Sequence, residues 1–163
     1  MTKNKNYFLL GLIFLIVSFL SAFLLRNILF NDFILVILIC ISTDIGGFVF
    51  GKIFKGPKLT KISPNKTYSG MIGSFFLSII SALLYTNYHD LVYWTDNVLL
   101  IFVILISSIS QIGDLTVSYF KRKSKIKNTG KILPGHGGLL DRIDGMLFAI
   151  PFAFIFLKMI KFI

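Results

Sequence analysis

Residues 98–120, VLLIFVILISSISQIGDLTVSYF, run without a break into residues 121–145, KRKSKIKNTGKILPGHGGLLDRIDG. The first part is an apolar run of the length a helix needs to cross a bilayer, about twenty residues. One carboxylate, Asp114, lies inside it. The second part is a polar island carrying Lys121, Arg122, Lys123, Lys125, Lys127, Lys131 and Arg142, together with His136, Asp141 and Asp144. A connection between two membrane helices can be made with far less. Many cations, glycines and paired aspartates in one loop predict a phosphate-handling site, with the rest of the chain as its frame.

Composition agrees with that frame. Of 163 residues, 55% are hydrophobic and eighteen are phenylalanine, with a mean hydropathy of +0.82. This is a membrane composition rather than that of a soluble globule. Seventeen Lys and Arg stand against seven acidic residues, all of them Asp, giving a net charge of +10. Such a balance suits nucleic acid or an anionic surface. Here the bases fall between apolar runs, so lipid headgroups and anionic substrates are expected as partners, and nucleic acid is not. Cys40 is the one cysteine, which excludes an internal disulfide or a thiolate metal cluster.

Outward from the opening stretch, apolar runs predict five helices over about residues 7–25, 30–50, 69–86, 98–120 and 143–162, in one transmembrane domain spanning 1–163. The expected class is an all-α polytopic membrane protein with a polar site at its cytoplasmic face. The first run is too long for a signal-peptide core and reads as an uncleaved helix. Gly70, Gly73 and Ser74 suit close helix packing, and Pro151 predicts a kink. Residues 51–69 carry Lys52, Lys55, Lys58, Lys61 and Lys66, whereas residues 87–97 carry no Lys or Arg. This bias places the N-terminus and the loops 51–68 and 121–142 in the cytoplasm, with the inner (plasma) membrane as the expected location. Arg26, Lys158 and Lys161 fall on the other side.

Charges inside spanning helices are costly, on the order of 3 kcal/mol at the centre. Asp44 lies eight residues before Lys52, and Asp114 seven before Lys121. Each is therefore a helix-packing partner or a site residue. Asp141 and Asp144 share a face at the start of the fifth helix, where the helix dipole alone also favours carboxylates. With Asp114 they form the oxygen set that a hard cation such as Mg²⁺ takes. Gly135, Gly137 and Gly138 allow backbone N–H groups to approach an anion. His136 between them suits a phosphate contact or proton transfer. The lysines serve substrate phosphates or anionic headgroups, and the hydroxyl-rich loop 58–67 offers a second phosphate grip.

Together these residues resemble a known signature. Lys121-Arg122, Lys127, Gly130, Leu133-Pro134, His136-Gly137-Gly138-Leu139 and Asp141-Arg142-Ile143-Asp144 look like the signature of the phosphatidate cytidylyltransferase family. Gln111-Ile112-Gly113-Asp114-Leu115 is similar to its preceding element. Asp44-Ile45-Gly46-Gly47 and Ile62-Ser63-Pro64-Asn65-Lys66-Thr67 resemble earlier ones. The resemblance covers about residues 40–150. Departures are Asn128 in place of an acidic residue and Tyr68-Ser69 in place of Trp-Glu, and full-length family members carry further N-terminal helices.

The resemblance implies transfer of a cytidylyl group from CTP to phosphatidate, giving CDP-diacylglycerol and pyrophosphate. It implies Asp114, Asp141 and Asp144 as catalytic metal ligands for Mg²⁺, as two divalent or mixed cations, with His136 also catalytic. Lys61, Ser63, Lys66, Thr67, Lys121, Arg122, Lys127, Gly137, Gly138 and Arg142 are the implied substrate-binding residues. A homodimer is expected, since five helices are a thin frame for two substrates. The alternatives are a CTP-dependent transferase or kinase acting on another lipid, and a non-catalytic lipid-binding or assembly subunit.

Overall fold

In an apolar slab no water satisfies backbone N–H and C=O groups, so an apolar chain closes its hydrogen bonds within helices. The computed structural model has five of them: α1 (Thr2–Ile28), α2 (Phe30–Phe54), α3 (Tyr68–Tyr88), α4 (Asp96–Lys123) and α5 (Leu140–Lys161). It describes residues 2–60, 63, 66–89, 94–126 and 140–161, with side chains for all of these except 2–7, 140–142 and 161. All five helices are long and apolar enough to cross a membrane. The protein is all-α; among the described residues the one β feature is an isolated antiparallel bridge between Lys58 and Thr67.

The helices overrun the ends expected from hydropathy. The connection 51–68 shrinks to 55–67 because α2 continues to Phe54, and 121–142 shrinks to 124–139 because α4 continues to Lys123 and α5 begins at Leu140. A hydropathy count stops at the first charges, but a helix does not need to. Lys121, Arg122 and Lys123 occupy the last turn of α4, where the dipole favours cations. Pro151 sits inside the continuous α5.

The closest packing joins α2 and α3. A Cβ on Gly46 would lie 2.5 Å from the Gly73 carbonyl oxygen, and one on Gly70 would lie 2.6 Å from that of Gly47. Only glycine allows such an approach, and the expected small-residue face of α3 is the one that makes it. The Ser74 hydroxyl then donates to the Thr43 carbonyl at 2.7 Å. Helices α4 and α5 close similarly at Gly145, whose Cβ would meet the Ser110 Oγ at 2.5 Å. Leu35, Ile39, Phe102, Ile106, Ala153 and Leu157 fill the core between these pairs. Helix α1 packs on α2 and α5 and shows Phe8, Phe19 and Phe23 outward, each more than half exposed.

At one end, Asp32 in the first turn of α2 is 1% exposed and accepts a 2.9 Å hydrogen bond from the Trp94 indole. At the other end the chain leaves α2 through Lys55, which takes a left-handed conformation (φ 49°) and donates to the Gly51 carbonyl. The segment that follows turns back on itself: Leu59 N–H donates to the Lys66 carbonyl at 2.8 Å, and Tyr68 N–H to the Pro57 carbonyl at 3.1 Å. This fold carries Lys66 back over the bundle.

Candidate active site

Between that segment and the helix ends lies a cavity of about 330 Å³. Its wall takes Thr43, Asp44, Gly47 and Phe48 from α2, Ser63, Lys66 and Thr67 from the connection, Gly70, Met71 and Ser74 from α3, Gln111 and Asp114 from α4, and Asp144 from α5. The size is at the small end of the range for small-molecule sites, about 300–1,000 Å³. Among the described residues, helix α1 contributes nothing to the lining.

Two of the carboxylates carry a lysine each. The Lys66 ammonium pairs with Asp114. The Lys121 ammonium, one turn from the end of α4, donates to Asp144 Oδ2 at 3.2 Å. Asp144 is 6% exposed, and its other oxygen accepts from the N–H of Gly145 at 3.0 Å. Gly145 thus has two effects. It brings α5 against Ser110 of α4, and it supplies a donor to the neighbouring carboxylate. A carboxylate this far from water needs such partners.

A second polar strand runs behind the cavity. Thr43 Oγ1 donates to Ser107 Oγ at 2.9 Å, and the Gln111 amide donates to the same oxygen at 3.3 Å. These bonds tie α2 to α4 and anchor Gln111. Thr67, expected to contact substrate, is also the N-cap of α3: its hydroxyl accepts from Gly70 N–H at 3.1 Å.

The structure brings Asp114, Asp144, Ser63, Lys66 and Thr67 to one cavity, with Lys121 joined to it through Asp144. Arg122 lies in the exposed last turn of α4 and does not line it. Asp141 and Arg142 stand in the first turn of α5, but their side chains lie outside the described set. Lys61, Lys127, His136, Gly137 and Gly138 also lie outside the described residues. Lys66 and Lys121, expected on substrate phosphates, each pair with a carboxylate of the cavity. Asp44 and Gln111 line the cavity without having been placed in the expected site; the sequence signal for both was a polar group inside a spanning helix.

The donor chemistry fits a hard cation: Asp44, Asp114 and Asp144, from three helices, line one cavity, and the last two already hold positive charge. No group of three His, Cys, Asp or Glu is preassembled for a metal among the described residues. Asp114 and Asp144, each paired with a lysine, are two of the three cavity carboxylates.

Comparison with known proteins gives a consistent result. The sequence profile of the cytidylyltransferase family matches residues 2–160. A phosphatidate cytidylyltransferase of Rickettsia prowazekii is 40% identical over 157 residues, which cover 91% of this chain and 69% of that protein. One from Staphylococcus saprophyticus is 35% identical over 160 residues, covering 93% of this chain and 60% of that protein. A solved structure described as an intramembrane enzyme for archaeal membrane lipids biosynthesis superposes with a TM-score of 0.51 at 19% identity, over 74% of this chain and 76% of that one. At that identity the likeness speaks for the fold. The five helices long and apolar enough to span a bilayer make the chain an integral membrane protein.

Proposed function

The chain belongs to the cytidylyltransferase family, and from that premise we propose that it makes CDP-diacylglycerol and pyrophosphate from CTP and phosphatidate. The observation that carries the reading is the single cavity joining Asp114, Asp144 and two lysines at the helix ends. Lipid reaches a site at that depth sideways from the leaflet, and nucleotide reaches it from water. A phosphatidate oxygen attacks the α-phosphorus of CTP, and the bond to the β-phosphate oxygen breaks, releasing pyrophosphate with the electron pair.

In this reading Asp114 and Asp144, with Asp141, would hold Mg²⁺, as two divalent or mixed cations. When bound, such cations neutralise charge on the attacking and leaving oxygens. Lys66 and Lys121 are held at the cavity by their carboxylates, so each needs only a side-chain rotation to meet an arriving phosphate. Ser63 and Thr67 present hydroxyls at the same wall. Lys61, Arg122, Lys127, Arg142 and the backbone of Gly137 and Gly138 complete the phosphate contacts, and His136 serves proton transfer or a phosphate contact. The N-terminus and both basic connections face the cytoplasm, in the inner membrane of the cell. The working unit is a homodimer, and cross-linking in detergent that returns only monomer would remove that part of the proposal.

The direct test supplies purified protein with Mg²⁺, labelled CTP and phosphatidate. CDP-diacylglycerol should form, and Asp144→Asn should lower its rate to background. Product formation at the wild-type rate by that variant would overturn the role given to Asp144.

A further inference from the structure

Asp44 is the carboxylate of the cavity to which the proposed chemistry gives no task. It sits on α2, next to Thr43 and one turn before Phe48, and all three line the cavity. Gln111 lines it from α4, one turn before Asp114. Both positions are fixed by the same bonds, because Thr43 and Gln111 each donate to Ser107 Oγ, at 2.9 and 3.3 Å. A carboxylate on a stitched pair of helices is well placed to read a ligand, since it loses little freedom on binding.

The substrates narrow what it can read. An ionised carboxylate accepts hydrogen bonds and donates none. The phosphate groups of both substrates are themselves anionic acceptors, and the ester groups of a diacyl lipid carry no donor. Donors occur only on the nucleoside, as the exocyclic amino group of cytosine and the ribose hydroxyls. The surroundings of Asp44 fit a base: the Phe48 ring and the Met71 thioether offer apolar faces in the same wall, and bases stack on aromatic side chains.

We propose that Asp44 selects cytosine, accepting a hydrogen bond from its exocyclic amino group, in the cavity that the anchored Gln111 also lines. Uracil presents an acceptor oxygen at that position, and a carboxylate facing it leaves two acceptors opposed. This assignment rests on CTP being the nucleotide of the cavity, as under Proposed function. It adds a specificity-determining residue outside the metal-holding aspartates.

The test is equilibrium titration of the 163-residue chain in detergent with CTP, UTP, 2′-deoxy-CTP and a CTP analogue lacking the 4-amino group. Wild-type protein should bind CTP at least about a hundredfold more tightly than UTP or the desamino analogue, in keeping with sites built to hydrogen-bond a group rejecting ligands without it. Asp44→Asn, whose amide offers a donor as well as an acceptor, should reduce the CTP/UTP ratio tenfold or more. An unchanged ratio in a folded Asp44→Asn protein overturns the proposal. So does a variant that loses discrimination only against 2′-deoxy-CTP, which would place Asp44 on the ribose. The desamino analogue needs no variant: if wild-type protein binds it within threefold of CTP, the proposal fails. Failure of the CTP reading itself shows differently, as wild-type protein that binds none of the four nucleotides.

Discussion

Replacing Gly46 with alanine strains the bundle where it is tightest. The new Cβ would lie 2.5 Å from the Gly73 carbonyl oxygen and 2.9 Å from Ser74 Cα, both backbone atoms that no rotamer change can move. Carbon–oxygen contacts become comfortable near 3.3 Å, so α2 and α3 must separate by roughly 0.8 Å at this point. Alanine gains about 1 kcal/mol over glycine in helix propensity. Overpacking costs about 1–3 kcal/mol, and a backbone-on-backbone contact belongs at the upper end. The expected net is a loss of about 1–2 kcal/mol. The same shift moves Asp44 and Gly47 on one wall away from Gly70 and Ser74 on the other. Misplacement on the 1 Å scale costs up to roughly a hundredfold in rate, so cytidylyl transfer should fall between about tenfold and a hundredfold. Thermal unfolding in detergent and turnover of CTP would be measured beside Gly11→Ala, where a Cβ meets nothing within 4 Å. If Gly46→Ala unfolds at or above the wild-type temperature with unchanged turnover, the glycine contact does not set the helix spacing.

Two further substitutions probe the ends of the bundle. Trp94→Phe removes the indole N–H from the buried Asp32; a stability loss of about 1–3 kcal/mol is expected from leaving that acceptor short of a partner, with CTP turnover per folded molecule unchanged. A lowered turnover with wild-type stability would contradict it. Thr67→Ala removes the N-cap of α3, which should cost about 1 kcal/mol, whereas Thr67→Ser should restore it. If serine fails to restore stability while turnover is lost in both, the hydroxyl is not acting as a cap.

The helices were legible because their cause is local. Five apolar runs at spanning length became five helices, and only their ends moved, where charged residues continue a helix into the interface. The small-residue face of α3 was readable for the same reason: Gly70, Gly73 and Ser74 follow helical spacing. Asp32 was not readable. Asp32 sits at the edge of the apolar run 30–50, where averaged hydropathy absorbs it, and its partner Trp94 is 62 residues away. The lysines of the site divide similarly. Sequence marked Lys66 and Lys121 as phosphate-binding, but that each rests on a carboxylate depends on how α4, α5 and the 55–67 segment pack. Asp44 fell between these cases, since its position inside a spanning helix was visible and its place in the cavity with Asp114 and Asp144 was not.

The placement of Asp144 on α5 also sets a timetable. A chain is made N-terminus first, so the segments carrying Asp44, Lys66 and Asp114 are in place while α5 is still unmade. The bond from Ser18 on α1 to the Leu147 carbonyl on α5, at 2.8 Å, links residues 129 apart and can form only after both helices are present. Until then the cavity lacks one carboxylate and one wall. With the role proposed for Asp144, a nascent chain lacks a metal-holding carboxylate, and the capacity for cytidylyl transfer arrives with the closing of the bundle.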